Sequence, residues 1–228
     1  MTSVALVRPV EAASVVERVT AEIRHAIVTG RLAPGQEFSL RQIAAQLGVS
    51  FIPVREALRS LEAEGLLETR RGRSAIVAPL DLEELRAICQ LCRLIEPDLR
   101  VRAAQLMRPA DLDRLESSLE FVADGTRSVD ELYERGHAFH TDLVRPAATA
   151  WDLRILERLW RALERYVRVG CRPVEPDVPG LRTPDAQVMF DLVVAYRSGD
   201  PDAVRDATLR NIAALERIAQ RGLERVRP

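Results

Sequence analysis

Arg41 and Arg55, with Arg71 and Arg73 on either side of Gly72, form the first group of residues that can do chemistry. A guanidinium fork matches the paired acceptors of a guanine edge or the oxygens of a phosphate. His137 and His140, three residues apart, can share one face of a helix as metal ligands. For both, an ordinary hydrogen-bonded histidine is the simpler expectation. Cys89 and Cys92 make a C-x-x-C pair, but no second pair completes a tetrahedral site and Cys171 is remote. Buried helical thiols are expected there.

What is missing also excludes chemistry. All 33 bases are arginine, against 34 acids, and the chain has no lysine. Schiff-base nucleophiles, the P-loop lysine and the kinase lysine are therefore ruled out. The net charge of −1 argues at first sight against a polyanion binder. It divides unevenly, however. Residues 1–79 hold 10 Arg and 8 acids, and residues 80–228 hold 23 and 26. A mildly basic segment is joined to an acidic one, and any affinity for a polyanion must come from where the arginines sit.

These residues need elements to hold them. Val15, Val16, Val19, Ile23 and Ile27 recur at helical spacing before Gly30. After the Pro34-Gly35 turn, Ser39 stands three residues before Gln42, a capping box for a short helix that ends at Gly48. Ser50 is placed to cap the next helix, with Pro53 in its tolerated first turn and Val54, Ala57, Leu58 and Leu61 on its buried side. Gly65 stops it. Leu66–Thr69 and Ser74–Val77 read as a two-stranded hairpin around Gly72.

From Asp81 the pattern is helical alone, over about 82–107, 110–124, 129–145, 150–170, 185–198 and 201–222, with a proline-bearing loop from Cys171 to Pro184. The expected fold is mainly α. A winged helix-turn-helix, itself α+β, fills residues 1–79, and an all-helical bundle fills 80–228. In such a unit the first short helix braces the backbone while the second enters the major groove. Ser50, Phe51, Ile52 and Arg55 lie at the start of that second helix, and Arg41 faces the same side. Arg71, Gly72 and Arg73 form a wing tip suited to phosphates or a narrow minor groove.

The stretch "IRHAIVTGRLAPGQEFSLRQIAAQLGVSFIPVREALRSLEAEGLLETRRGRSAIVA" resembles the DNA-binding domain of the GntR family of bacterial transcription regulators. The remainder, through "LRAICQLCRLIEP", Phe139-His140 and "GDPDAV", resembles the FadR-like subfamily, whose FCD domain binds a small effector and forms the dimer. This chain departs from the family at Phe51-Ile52-Pro53, where a basic residue usually follows the cap serine. Phenylalanine donates no hydrogen bond to a base, but it can pack on a thymine methyl.

The resemblance also implies a divalent metal held by an Asp, a His four residues later and two further His. The matching positions are Gly136, His140, Met189 and Asn211. One ligand of four survives, so no metal and no other cofactor is expected. The same positions would line an effector pocket. Arg93, in an R-x-x-E with Glu96, either forks an effector carboxylate or pairs with Glu96 or a neighbouring helix.

The resulting expectation is a homodimeric regulator of the repressor type. It would bind a palindromic double-stranded operator and respond to a small organic acid or apolar-tailed molecule without metal. An effector-blind DNA-binding dimer is the alternative. A small helical enzyme is the remote one, since no Ser/His/Asp grouping or phosphate loop is present. No apolar run approaches the roughly 20 residues of a membrane span. No secretory signal is read at the N-terminus, and three cysteines suit a reducing cytoplasm.

Overall fold

The computed structural model describes residues 15–70, 74–123, 129–171 and 186–226. The chain divides into two compact units, one of residues 1–27 with 31–79 and one of 28–30 with 80–228.

The first unit contains α1 (Val15–Val28), β1 (Glu37–Ser39), α2 (Leu40–Leu47), α3 (Phe51–Ala63), β2 (Leu67–Arg70) and β3 (Ser74–Val77). Val19, Ile23 and Ile27 of α1 pack with Ile43, Val54, Leu58, Leu61, Leu67 and Val77 in one aliphatic core. The turn between α2 and α3 follows from two local devices. The Ser39 hydroxyl accepts from the Gln42 N–H at 3.1 Å, while the Ser39 N–H donates to Gln42 Oε1 at 2.8 Å. Gly48 then ends α2 in the left-handed region at φ 64, a conformation a Cβ would penalise.

Two expectations need correction here. The sheet has three strands rather than two, in the order β1-β3-β2, all antiparallel, with Phe38 opposite Ala75 and Thr69 opposite Ala75 on the other side. A three-residue strand squeezed between a turn and a helix cap is too short to show alternation. Ser50 does occupy the N-cap of α3, but its hydroxyl makes no capping hydrogen bond. Arg71, Gly72 and Arg73 lie outside the described residues, as does the segment 172–185.

The second unit is helical: α4 (Leu82–Leu106), α5 (Pro109–Ala123), α6 (Val129–Val144), α7 (Ala150–Gly170), α8 (Ala186–Ser198) and α9 (Pro201–Val226). Asp81 caps α4 by accepting from the N–H groups of Glu83 and Glu84. Thr149 and Asp152 cap α7 reciprocally. α9 runs against α4, α7 and α8. It meets α7 so closely that a Cβ on Gly170 would stand 2.1 Å from the Ile218 carbonyl oxygen, and one on Gly222 would stand 2.4 Å from the Gly170 nitrogen. Glycine on both helices is what allows this approach. No helix among the described residues is long and apolar enough to cross a membrane.

Candidate functional site

The buried face of α3, through Val54, Ala57, Leu58 and Leu61, fixes which side chains point outward. These are Phe51, Ile52, Arg55, Glu56 and Arg59. Phe51 is 51% and Ile52 70% exposed, two adjacent large apolar side chains that the core leaves uncovered. Arg41 in the first turn of α2 is exposed as well, and so is Ser50.

Ion pairing separates the arginines of this unit. Arg24 forks Glu64 at 2.7 and 3.0 Å, Arg31 pairs with Glu22 at 3.1 Å, and Arg59 pairs with Glu56 at 3.1 Å. Arg41 and Arg55 make no such pair among the described residues, and neither does Arg70 at the wing end of β2. Guanidinium groups held beside α3 without an acidic partner are ready for an outside anion. The sequence places Arg70 in the turn with Arg71, Gly72 and Arg73, but the structure makes it the last residue of β2, where it pairs with Ser74. The wing is tied to α3 by Glu62, whose carboxylate accepts from the Thr69 N–H at 2.8 Å and hydroxyl at 2.7 Å. Those two bonds hold the Glu62 carboxyl below its usual range.

The helical unit holds its arginines differently. Arg93 pairs with Glu216 of α9 rather than with Glu96. Glu96 instead accepts from Arg100 at 2.7 Å and from the Trp160 indole N–H at 2.9 Å. Arg100 is fully buried, and its Nη2 also lies 3.1 Å from His140 Nδ1. A guanidinium only donates, so Nδ1 must be the accepting nitrogen and the ring proton belongs on Nε2. Burial first, then the Arg100 charge, holds the His140 imidazole well below its ordinary range, so it is neutral. The Nε and Nη1 atoms of Arg100 and the Nε2 of His137 are buried with no partner among the described residues. The His137 ring meets Trp160 edge-on at 5.6 Å. Burial lowers its pKa too.

Arg100 and Trp160 were missed by sequence reasoning, though for Arg100 a signal existed. Leu85, Ile88, Cys89, Cys92, Leu99 and Ala103 define the buried stripe of α4, and Glu96 and Arg100 fall on it. Charged residues on an apolar stripe must find each other or another partner.

The other expected pocket residues are placed as follows. Met189 is packed into the core with Phe139 and Leu192. Asn211 is buried on α9, and its amide makes no side-chain hydrogen bond among the described residues. Gly136, one turn before His140, is half-buried, and a Cβ there would meet nothing within 4 Å. The metal set implied by the family resemblance does not fit these residues. Gly136 offers no ligand atom, Met189 a thioether and Asn211 an amide, and His140 Nδ1 already faces a cation. No group of three or more His, Cys, Asp or Glu able to hold a metal occurs among the described residues.

The thiols are all free and buried. Burial, the largest cause, pushes Cys89 up to about 12 and Cys92 higher still. Neither is a nucleophile at neutral pH.

A helix-turn-helix backed by an antiparallel wing, followed by a helical unit, is the architecture of a DNA-binding transcription regulator. Residues 15–77 match the family described as bacterial regulatory proteins, gntR family, and residues 87–214 match the FCD domain. The chain belongs to the GntR family and carries an FCD domain.

It is 32% identical over 191 residues to the probable D-xylose utilization operon transcriptional repressor of Paenarthrobacter nicotinovorans, covering 82% of this chain and 81% of that protein. It is 27% identical over 194 residues to the HTH-type transcriptional repressor RspR of Escherichia coli K12, covering 83% and 82%. The solved structure of E. coli McbR/YncC shares the fold, with a TM-score of 0.72 over 90% of this chain and 99% of that one, at 22% identity. These relatives are regulators of transcription, not enzymes.

Proposed function

We infer that this chain is a homodimeric repressor that reads a two-fold operator through α2, α3 and the wing. The observation that carries this reading is the pair of exposed guanidiniums without an acidic partner among the described residues, Arg41 and Arg55, beside an α3 whose N-cap hydroxyl, Ser50, makes no capping bond. One module of this size has too little interface for tight specific binding, so two half-sites are required. Apolar residues left exposed on the helical unit support pairing of two chains there. They include Leu94 of α4 and Trp151 of α7, 67% and 69% exposed. A gel shift with DNA from the chain's own promoter region tests the reading. A shift that Arg55→Ala leaves unchanged would sink it.

The helical unit serves as a metal-free sensor of a small organic acid. Support comes from Arg100, whose Nε and Nη1 find no acceptor among the described residues, and from Asn211, a buried amide on α9. The neutral His140 adds a hydrogen-bonding group without charge. Calorimetry on metal-stripped protein checks this. A response to organic acids that returns only with added Zn²⁺ or Ni²⁺ would overturn it. The closed Glu96–Arg100 pair favours a second reading, an effector-independent dimer. DNA binding that no organic acid alters would select that one.

A further inference from the structure

The apolar doublet Phe51-Ile52 opens α3, 51% and 70% exposed among the described residues. Together they make a small apolar surface open to a covering partner. Their surroundings define the occupant. Phe51 and Arg55 are four residues apart and Ile52 and Arg55 three, so all share one face of α3. The helix N-terminus carries partial positive charge, and Arg41 and Arg55 lack acidic partners among the described residues. An apolar protein partner would leave those guanidiniums uncompensated, whereas the floor of a DNA major groove answers both features. It offers guanine acceptors to a guanidinium and, at thymine alone among the four bases, a methyl group to an apolar side chain.

The geometry points to Phe51 and Ile52 as specificity-determining residues that read the 5-methyl groups of thymine, beside a guanine read by Arg55. This rests on the DNA reading above. Successive helical residues rise about 1.5 Å, so Ile52 and Phe51 stand about 4.5 Å and about 6 Å from Arg55 along α3. Base steps are about 3.4 Å apart. The thymines therefore lie within about two base pairs of the guanine in each half-site.

Such contacts leave a signature that phosphate contacts cannot. Replacing thymine by deoxyuridine removes one methyl and changes neither pairing nor backbone charge. Losing one buried carbon weakens binding about fourfold, and one in each half-site about 16-fold. The loss is the same at low and high salt, because no counterion is released, while phosphate contacts weaken steeply as salt rises.

The test begins with the full chain selecting duplexes from a random-sequence library. Selected duplexes are then resynthesised with deoxyuridine at each thymine in turn, and Kd is measured by fluorescence anisotropy. Expected is a salt-independent penalty at one or two thymines per half-site near the guanine. In Phe51→Ala and Ile52→Ala variants that penalty disappears, although binding itself persists. Both side chains are exposed, so the variants should fold, and a thermal melt checks this. Phe51→Arg should move the preference from thymine towards guanine. Uracil tolerated at every position, while Arg55→Ala still destroys selectivity, overturns the thymine reading and leaves the DNA reading standing. Failure to enrich any sequence overturns both.

Discussion

The two units use the same side chain in opposite ways. In the first, Arg41 and Arg55 are exposed and unpartnered among the described residues, and their charge is left for an outside anion. In the second, Arg100 is sealed in the bundle, shares its charge with Glu96 and directs one N–H at a neutral histidine. An exposed arginine contributes little to folding and much to binding a polyanion, because water screens it until DNA arrives. A buried one shapes the core, because desolvating an ion is costly unless geometry and hydrogen bonds compensate. Composition alone shows one undifferentiated population of 33 arginines.

The largest effect should come from breaking the buried pair. Glu96→Ala leaves Arg100 as an uncompensated buried charge and is expected to cost about 3–5 kcal/mol in chemical denaturation. Replacing both partners together, Glu96→Met with Arg100→Leu, should recover most of that loss. Recovery would show that pairing, not charge itself, is what the bundle requires. Arg55→Ala should do the reverse. It should change stability by less than about 0.5 kcal/mol and lower operator affinity roughly ten- to hundredfold in anisotropy titrations. If Arg55→Ala destabilised the fold as much as Glu96→Ala, the contrast between the units would collapse.

A smaller effect follows from the imidazoles of the helical unit. Burial lowers the pKa of both His137 and His140, so the folded state stays neutral where the unfolded chain takes up protons. The unfolded state then binds more protons below its own pKa of about 6.5. Stability is full above that pH and falls as pH drops below it, by at most about 1.4 kcal/mol per histidine for each unit. Thermal melts between pH 7.5 and 5.5 should show this slope, and His140→Gln should flatten it. An unchanged slope would mean that His140 is not held neutral.

The smallest effect contrasts two serines. Ser39→Ala removes a working cap and should cost about 1 kcal/mol. Ser50→Ala removes a hydroxyl that bonds nothing in α3 and should leave the melting temperature nearly unchanged. If Ser50 contributes to DNA binding, its removal should appear in operator affinity alone.

The parts legible in the sequence were those written in local chemistry. Ser39 with Gln42, the left-handed Gly48 and the apolar face of α3 are each set by residues within a few positions of one another. They place α2 and α3, and with them the outward side of Arg41, Arg55, Phe51 and Ile52. The helices of the second unit were legible for the same reason, through their caps and periodicity. What stayed hidden depended on partners far apart in the chain. Strand β1 exists only because β3, more than thirty residues later, offers it a ladder. Arg93 chose Glu216 over Glu96, and Glu96 chose Arg100 and Trp160.

The sequence by itself determined the helix-turn-helix, the division between a basic and an acidic half, and the exclusion of lysine chemistry. These depend on residue type and short-range spacing, which folding cannot alter. Only the tertiary structure decided which arginines are spent on carboxylates and which remain free, and that His140 faces a guanidinium. Ion pairing in a helical bundle is settled by which helices pack together and at what level, and that information is distributed over the whole core.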